Sequence, residues 1–76
     1  MPKLPRVTAR ELIGAFERAG YVVRRQSGSH VVLRHPVTGQ ILVVPDHQGI
    51  LGTGLVHSLL RHAKLSVADL VRLLGR

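Results

Sequence analysis

The fold is decided by residues 21–44, which read YVVRRQSGSHVVLRHPVTGQILVV. Three runs rich in β-branched and apolar residues are separated by two turn sequences, Ser27-Gly28 and Pro36-Val37-Thr38-Gly39. Pro45 then prevents the third run from continuing in a hydrogen-bonded ladder. Connections this short join antiparallel neighbours, so the stretch predicts a three-stranded antiparallel meander. The predicted strands are Tyr21–Arg25, His30–His35 and Ile41–Val44.

A helix is predicted before this sheet. Thr8 followed by Glu11 has the form of a capping box, in which each side chain bonds the other residue's backbone amide. Apolar residues recur behind it at helical spacing, and Gly20 supplies the end of the helix.

Two further helices are predicted after the sheet. One runs from Gly54 to Ala63 with Thr53 as its cap, and a short one follows Ser66 near the end of the chain. Since helices can cover only one face of a three-stranded sheet, the other face stays open to solvent. We therefore predict one α+β domain over residues 1–76: a helix, a three-stranded antiparallel sheet and a helix, with a short C-terminal helix.

The chain is strongly basic. Eleven lysines and arginines stand against four acidic residues, which gives a net charge of +7 at pH 7, and nine of the eleven are arginines. The planar guanidinium group suits phosphate better than the ammonium group of lysine does. This excess favours a polyanionic partner, such as nucleic acid, an anionic membrane or an acidic protein. A basic surface kept only for solubility is the alternative.

Other classes of site are disfavoured. The chain has no cysteine, so it contains neither disulfides nor thiolate metal sites, and its five histidines show no recognised ligand spacing. The glycine-rich residues 49–54 lack the Gly-Lys-Ser/Thr ending of a phosphate-binding loop. No apolar run approaches the roughly 20 residues that span a bilayer, and the first residues do not resemble a signal peptide. We therefore expect a cytoplasmic protein with no metal, no small-molecule cofactor and no membrane partner.

His30 is the sharpest candidate for chemistry. Strand alternation places it on the open face of the sheet together with Arg34. Histidine, whose ordinary pKa is about 6.5, can accept and donate a proton near neutral pH. RNA cleavage needs a base for the 2′-hydroxyl and an acid for the leaving 5′-oxygen, and Arg24, Arg25 and Arg34 could hold the phosphate. The residues alone leave open that His30 is an exposed strand histidine without a role. Ser29 would point to the opposite side of the strand, so a Ser–His catalytic pair is not expected.

The order of these motifs resembles the HicA (YcfA-like) mRNA interferase toxins. The resemblance is carried by Ala19-Gly20-Tyr21, Arg24 and Gly28-Ser29-His30, followed by Val44-Pro45-Asp46-His47 at the end of the third strand. It continues through the second helix and covers nearly the whole chain. Lys64 stands where the family usually has a glycine after this helix.

The resemblance implies a double-stranded-RNA-binding-domain-like fold and a type II toxin–antitoxin function in stress response. It implies metal-independent cleavage of mRNA with His30 as the catalytic residue, and neutralisation by a HicB-type antitoxin. Ser29, Arg24, Arg25 and Arg34 are the expected RNA-binding residues. His47 is the candidate for a second catalytic or phosphate-binding group, because antiparallel pairing brings the end of the third strand toward the start of the second. A non-catalytic double-stranded-RNA-binding module and a purely protein-binding role remain alternatives.

Overall fold

The sheet is an antiparallel meander with three helices packed beside it. A computed structural model describes residues 3–76. The strands lie in the order β1-β2-β3, and both neighbouring pairs are antiparallel. This arrangement confirms the α+β prediction and agrees with a double-stranded-RNA-binding-domain-like fold. The elements are α1 (Ala9–Arg18), β1 (Val22–Ser27), β2 (His30–Arg34), β3 (Ile41–Pro45), α2 (Thr53–Ala63) and α3 (Val67–Leu74).

The capping box of α1 is formed as predicted. Glu11 N donates to Thr8 Oγ1 at 3.2 Å, and Thr8 N donates to Glu11 Oε1 at 2.9 Å. The Thr8 amide, together with the guanidinium of Arg76, holds the pKa of the Glu11 carboxyl below its ordinary value. Arg76 also forms an ion pair with Glu11, so the last residue of the chain is attached to the first turn of α1.

A second capping box starts α3. Ser66 N donates to Asp69 Oδ2 at 2.9 Å, and Asp69 N donates to Ser66 Oγ at 3.0 Å. The Ser66 amide and then the Arg72 side chain lower the pKa of Asp69. Both boxes join residues three positions apart, a spacing that can be read from the sequence.

The predicted cap of α2 was wrong. Gly52 occupies the N-cap position in an extended conformation, and its carbonyl accepts from Val56 N at 3.1 Å. Thr53 is therefore already the first helical residue, and no side chain caps this helix. At the other end, Lys64 adopts a left-handed conformation with φ of 57°. Lysine thus takes here the conformation that glycine normally supplies at a helix end.

Four strand boundaries also differ from the prediction, and β3 extends to Pro45, which pairs with His30. β1 continues to Ser27, which pairs with His30, so the first hairpin extends to its turn. β1 begins at Val22 because Tyr21 is buried and its amide donates to Phe16 O at 3.0 Å, closing the end of α1. His35 lies just outside β2, where its ring makes an edge contact with the Tyr21 ring at a centroid distance of 5.1 Å.

The hydrophobic core lies between the helices and one face of the sheet. Among residues 3–76, no polar or charged side chain is buried. The core side of the sheet supplies its buried side chains from β2 and β3, whereas every residue of β1 is exposed. The largest fully buried side chains are Phe16, Leu12, Leu33, Leu42 and Leu70.

Replacing the α1 cap should destabilise the domain measurably. We expect Thr8→Ala to lower the free energy of unfolding by roughly 1 kcal/mol, because an orphan amide of the first turn loses its acceptor. For a domain of this size that corresponds to a fall in Tm of about 4–8 °C, measurable by calorimetry. Thr53→Ala is the matched control, since the Thr53 hydroxyl makes no cap bond. Equal losses in the two variants would contradict the role given to Thr8.

Candidate nucleic-acid interface

The face of the sheet that the helices leave uncovered carries four of the predicted site residues, His30, Arg24, Arg25 and Arg34. Residues paired across antiparallel strands point to the same face, so the register groups this face into rows. Neighbouring rows on one face lie roughly 7 Å apart. The rows are Val22–Arg34–Ile41, Arg25–Val32–Val43 and Ser27–His30–Pro45. We call these residues, together with Arg24, the open face.

Arg24 joins this face through a β-bulge. Val23 pairs with Leu33 and Arg25 pairs with Val32, so β1 contains one extra residue between the two pairs. In such a bulge two residues of one strand oppose a single residue of its partner. Arg24 and Arg25 therefore both oppose Val32 and both lie on the open face, whereas regular alternation would send them to opposite faces. The bulge gives one row of the face two exposed guanidinium groups.

His30 is exposed at the start of β2, one row from Arg24 and Arg25. Within residues 3–76 its ring makes no hydrogen bond. By contrast, the ring of His35 accepts from two backbone amides through Nδ1, and the ring of His62 bonds Ser58 O at 2.8 Å. Both nitrogens of His30 thus remain free to meet a ligand. Arg34 lies on the same strand, two rows from His30 and one row beyond the bulge.

A tight turn presents His30 and Ser29. Gly28 has a φ of +57°, and it is the first central residue of the two-residue connection between β1 and β2. Positive φ at that position alone is the pattern of a type II′ hairpin turn. A Cβ added to Gly28 would meet no atom within 4 Å, so the space outside the turn is open. Ser29 is exposed in this turn, and its carbonyl accepts from Asp46 N at 2.6 Å.

His47 and His30 have different surroundings. The end of β3 does run to the start of β2, as predicted, since Pro45 pairs with His30. Two residues later, however, His47 lines a surface cavity whose lining does not include His30. The other residues around that cavity come from the start of α1 and the loop after β3: Thr8, Arg10, Asp46, Gln48 and Gly49. The structure thus joins the backbones of the two segments without bringing the two rings into one cavity.

The open face also contains apolar side chains to which the sequence analysis gave no role. Val22 is 48% exposed, Ile41 55% and Val43 44%. Exposed and buried residues alternate along β3: Leu42 and Val44 are buried, and Ile41 and Val43 are exposed. Period-two alternation in the sequence could therefore have placed Ile41 and Val43 on the open face. The two aromatic side chains, Phe16 and Tyr21, are both buried in the core, and burial raises the pKa of the Tyr21 hydroxyl. The open face therefore offers cations, an imidazole and aliphatic surface, but no Phe, Tyr or Trp ring for base stacking.

Comparison with protein families gives one match. A model described as the HicA toxin of bacterial toxin–antitoxin systems matches residues 9–65. The chain belongs to the HicA toxin family. The matched residues include α1, the whole sheet with its open face, and α2. Membership of a HicA toxin–antitoxin family implies an antitoxin as the partner.

No curated protein matched the chain. Within residues 3–76, no helix is both long and apolar enough to cross a membrane. The same residues contain no group of three or more histidine and acidic side chains placed to hold a metal ion.

Proposed function

We propose that this HicA-family chain is a metal-independent endoribonuclease that cleaves mRNA in the cytoplasm. His30 is the general acid and base, and a HicB-type antitoxin neutralises the activity in a type II toxin–antitoxin system. The observation that best supports this proposal is the placement of an exposed, unbonded imidazole on one face with Arg24, Arg25 and Arg34. The family match supports the toxin role.

The reaction follows from what an imidazole can do beside a phosphodiester. Neutral His30 accepts the proton of an RNA 2′-hydroxyl, and the 2′-oxygen forms a bond to the adjacent phosphorus. The bond from phosphorus to the 5′-oxygen breaks, and that oxygen takes a proton from the imidazolium or from a second acid. The products are a 2′,3′-cyclic phosphate and a 5′-hydroxyl. His47 is the candidate for the second proton-transfer or phosphate-binding group.

The arginines supply the electrostatic part of the proposal. The phosphorane-like transition state carries more negative charge on its oxygens than the substrate does, and nearby fixed cations stabilise it. Arg25 stands one row from His30 and one row from Arg34, so it is central among the three groups. Ser29 is exposed in the turn next to His30, and its hydroxyl donates a hydrogen bond to the phosphate in this proposal.

RNA binding should depend on these cations through backbone phosphates. Without a Phe, Tyr or Trp ring on the open face, base stacking contributes little, and electrostatic contacts dominate the affinity. For a single strand, each neutralised phosphate contributes roughly 0.7 to the slope of log affinity against log salt. We therefore expect a double Arg25→Gln, Arg34→Gln variant to reduce that slope by about 1.4 and to weaken binding in 0.1 M salt by roughly tenfold.

Fluorescence anisotropy with a labelled RNA measures this effect. The measurement uses a His30→Ala background, so that the RNA stays intact during the titration. The matched control is the double variant Arg61→Gln, Arg72→Gln, which removes the same charge from exposed helix positions away from the open face. If both double variants reduce the slope equally, binding depends on net charge and the open face is not the RNA site.

The antitoxin role has its own test. Co-expression of a HicB-type antitoxin with the wild-type chain should restore growth to cells that the chain alone arrests. The two proteins should also co-purify, because a neutralising partner must hold the toxin rather than repair its damage. Growth arrest that persists despite co-purification, or rescue without any complex, would contradict neutralisation by direct binding.

A further inference from the structure

The free edge of β3 has an unusual composition. β1 and β3 are the two edge strands of the sheet, and edge strands are normally protected from pairing by charges, bulges or proline. β1 has both a bulge and two arginines. β3 reads Ile-Leu-Val-Val-Pro from Ile41 to Pro45, with no charge and no bulge, and two of its side chains are strongly exposed. Its only protective feature is Pro45 at its end.

Two hydrogen bonds show which backbone groups of β3 face this edge. His35 N donates to Gln40 O at 2.9 Å, and Asp46 N donates to Ser29 O at 2.6 Å. Hydrogen-bonded pairs alternate with non-bonded pairs along an antiparallel ladder. Even-numbered residues of β3 therefore bond β2, and the amide and carbonyl groups of Ile41, Val43 and Pro45 point outward.

The outward groups form a self-complementary pattern. If two β3 edges pair antiparallel about Val43, each Val43 amide meets the Val43 carbonyl of the other copy. Each Ile41 amide then meets a Pro45 carbonyl. This register lacks two bonds, one from each Pro45, which has no N–H, to the Ile41 carbonyl of the other copy. That carbonyl already accepts from Gln40 Nε2 of its own chain at 3.2 Å. Within residues 3–76, no other element bonds the Val43 amide or carbonyl.

We propose that two copies of this chain associate through their β3 edges into a two-fold dimer with a continuous six-stranded sheet. The proposal rests on this hydrogen-bond pattern and not on the RNA-cleaving role. An axis through the Val43 pair is perpendicular to the sheet, so both open faces lie on the same side. The row that carries His30 of one copy continues into the row that carries Arg34 of the other, three strand spacings or roughly 14 Å away. The dimer therefore joins two open faces into one surface.

Charge opposes this association and makes it depend on salt. Each copy carries a net charge of +7, so two copies repel at long range, while the paired segments themselves are uncharged. Salt screens the repulsion over a Debye length of about 10 Å at 0.1 M. We expect the dimer to strengthen between 0.1 and 0.5 M NaCl. Assembly bridged by residual nucleic acid would show the opposite dependence, because salt weakens phosphate contacts.

Sedimentation equilibrium on the purified, nucleic-acid-free chain tests the proposal. Wild type should show a concentration-dependent monomer–dimer equilibrium. Val43→Lys and Val43→Glu each place like charges opposite each other at the axis, and each should raise the dimer Kd by at least about tenfold. An equimolar mixture of the two variants should dimerise again, because lysine then faces glutamate.

Val32→Lys is the matched control. It adds the same positive charge as Val43→Lys and lies in the same row, but on the central strand, away from the edge. This variant should still dimerise, with only the small weakening that one added charge causes. Circular dichroism establishes that each variant is folded. A wild-type chain that stays monomeric at all concentrations and salts would overturn the proposal, whatever the variants do. So would a Val43→Lys dimer as tight as wild type, or a lysine–glutamate mixture that remains monomeric.

Discussion

His30→Ala is expected to lower the rate of RNA cleavage by about 10²–10⁴-fold, the usual contribution of a positioned acid–base group. Cells that express the variant should grow normally and keep their mRNA, whereas wild-type expression should arrest growth. The reason is local: His30 combines exposure, free ring nitrogens and proximity to the paired arginines. RNA affinity should change little, because the arginines that bind the phosphates remain.

Two controls separate catalysis from folding and from general effects of histidine loss. His57→Ala removes another exposed histidine, located on α2, and should leave toxicity intact. Circular dichroism of His30→Ala should match wild type, since the exposed ring makes no contact with the core. If cells expressing His30→Ala showed the same arrest and the same mRNA decay as wild type, the catalytic role of His30 would be wrong.

Gly20→Ala should produce the largest loss of stability among the glycine positions. Gly20 has a φ of +105°, outside the range that side-chain-bearing residues adopt without strain. An added Cβ would also lie 2.8 Å from His35 Nε2. That ring cannot easily retreat, because two backbone amides donate to its other nitrogen and its edge packs on Tyr21. We expect a loss of roughly 2–3 kcal/mol and a Tm lower by more than about 8 °C.

The matched control for this variant is Gly54→Ala. Gly54 lies in the first turn of α2, where an added Cβ would meet nothing within 4 Å, and alanine is the better helix former. That change should stabilise the domain by up to about 1 kcal/mol. Thermal unfolding of the two variants should therefore shift in opposite directions. A Gly20→Ala variant that unfolds at or above the wild-type temperature would contradict the close packing of His35 on this turn.

Much of the fold follows from local rules. The boxes at Thr8 and Ser66 depend on residues three positions apart, and the hairpin at Gly28 depends on one glycine with positive φ. Period-two alternation placed His30 and Arg34 on the exposed face. These features are predictable because the interactions that stabilise them are close in sequence, or because a single buried face imposes the pattern.

The features that could not be predicted from the sequence depend on contacts between segments that are distant in the chain. The sequence of β1 does not indicate the extra residue at Arg24, because a bulge is defined by how two strands pair and not by one strand alone. Yet that bulge places two arginines opposite Val32 instead of one. Similarly, the cap of α2 moved to Gly52 because the preceding loop approaches the helix in an extended conformation. The position of His47 relative to His30 depends on the same loop.

Cleavage of a labelled RNA by the purified chain in the presence of EDTA tests the central claim most directly. The account predicts that wild type cuts the RNA without a metal ion and leaves 2′,3′-cyclic phosphate and 5′-hydroxyl ends. It also predicts that His30→Ala leaves the RNA intact while still binding it, and that 2′-O-methylated RNA resists both proteins. RNA that survives prolonged incubation with wild type, or products with 5′-phosphate ends, would contradict the mechanism.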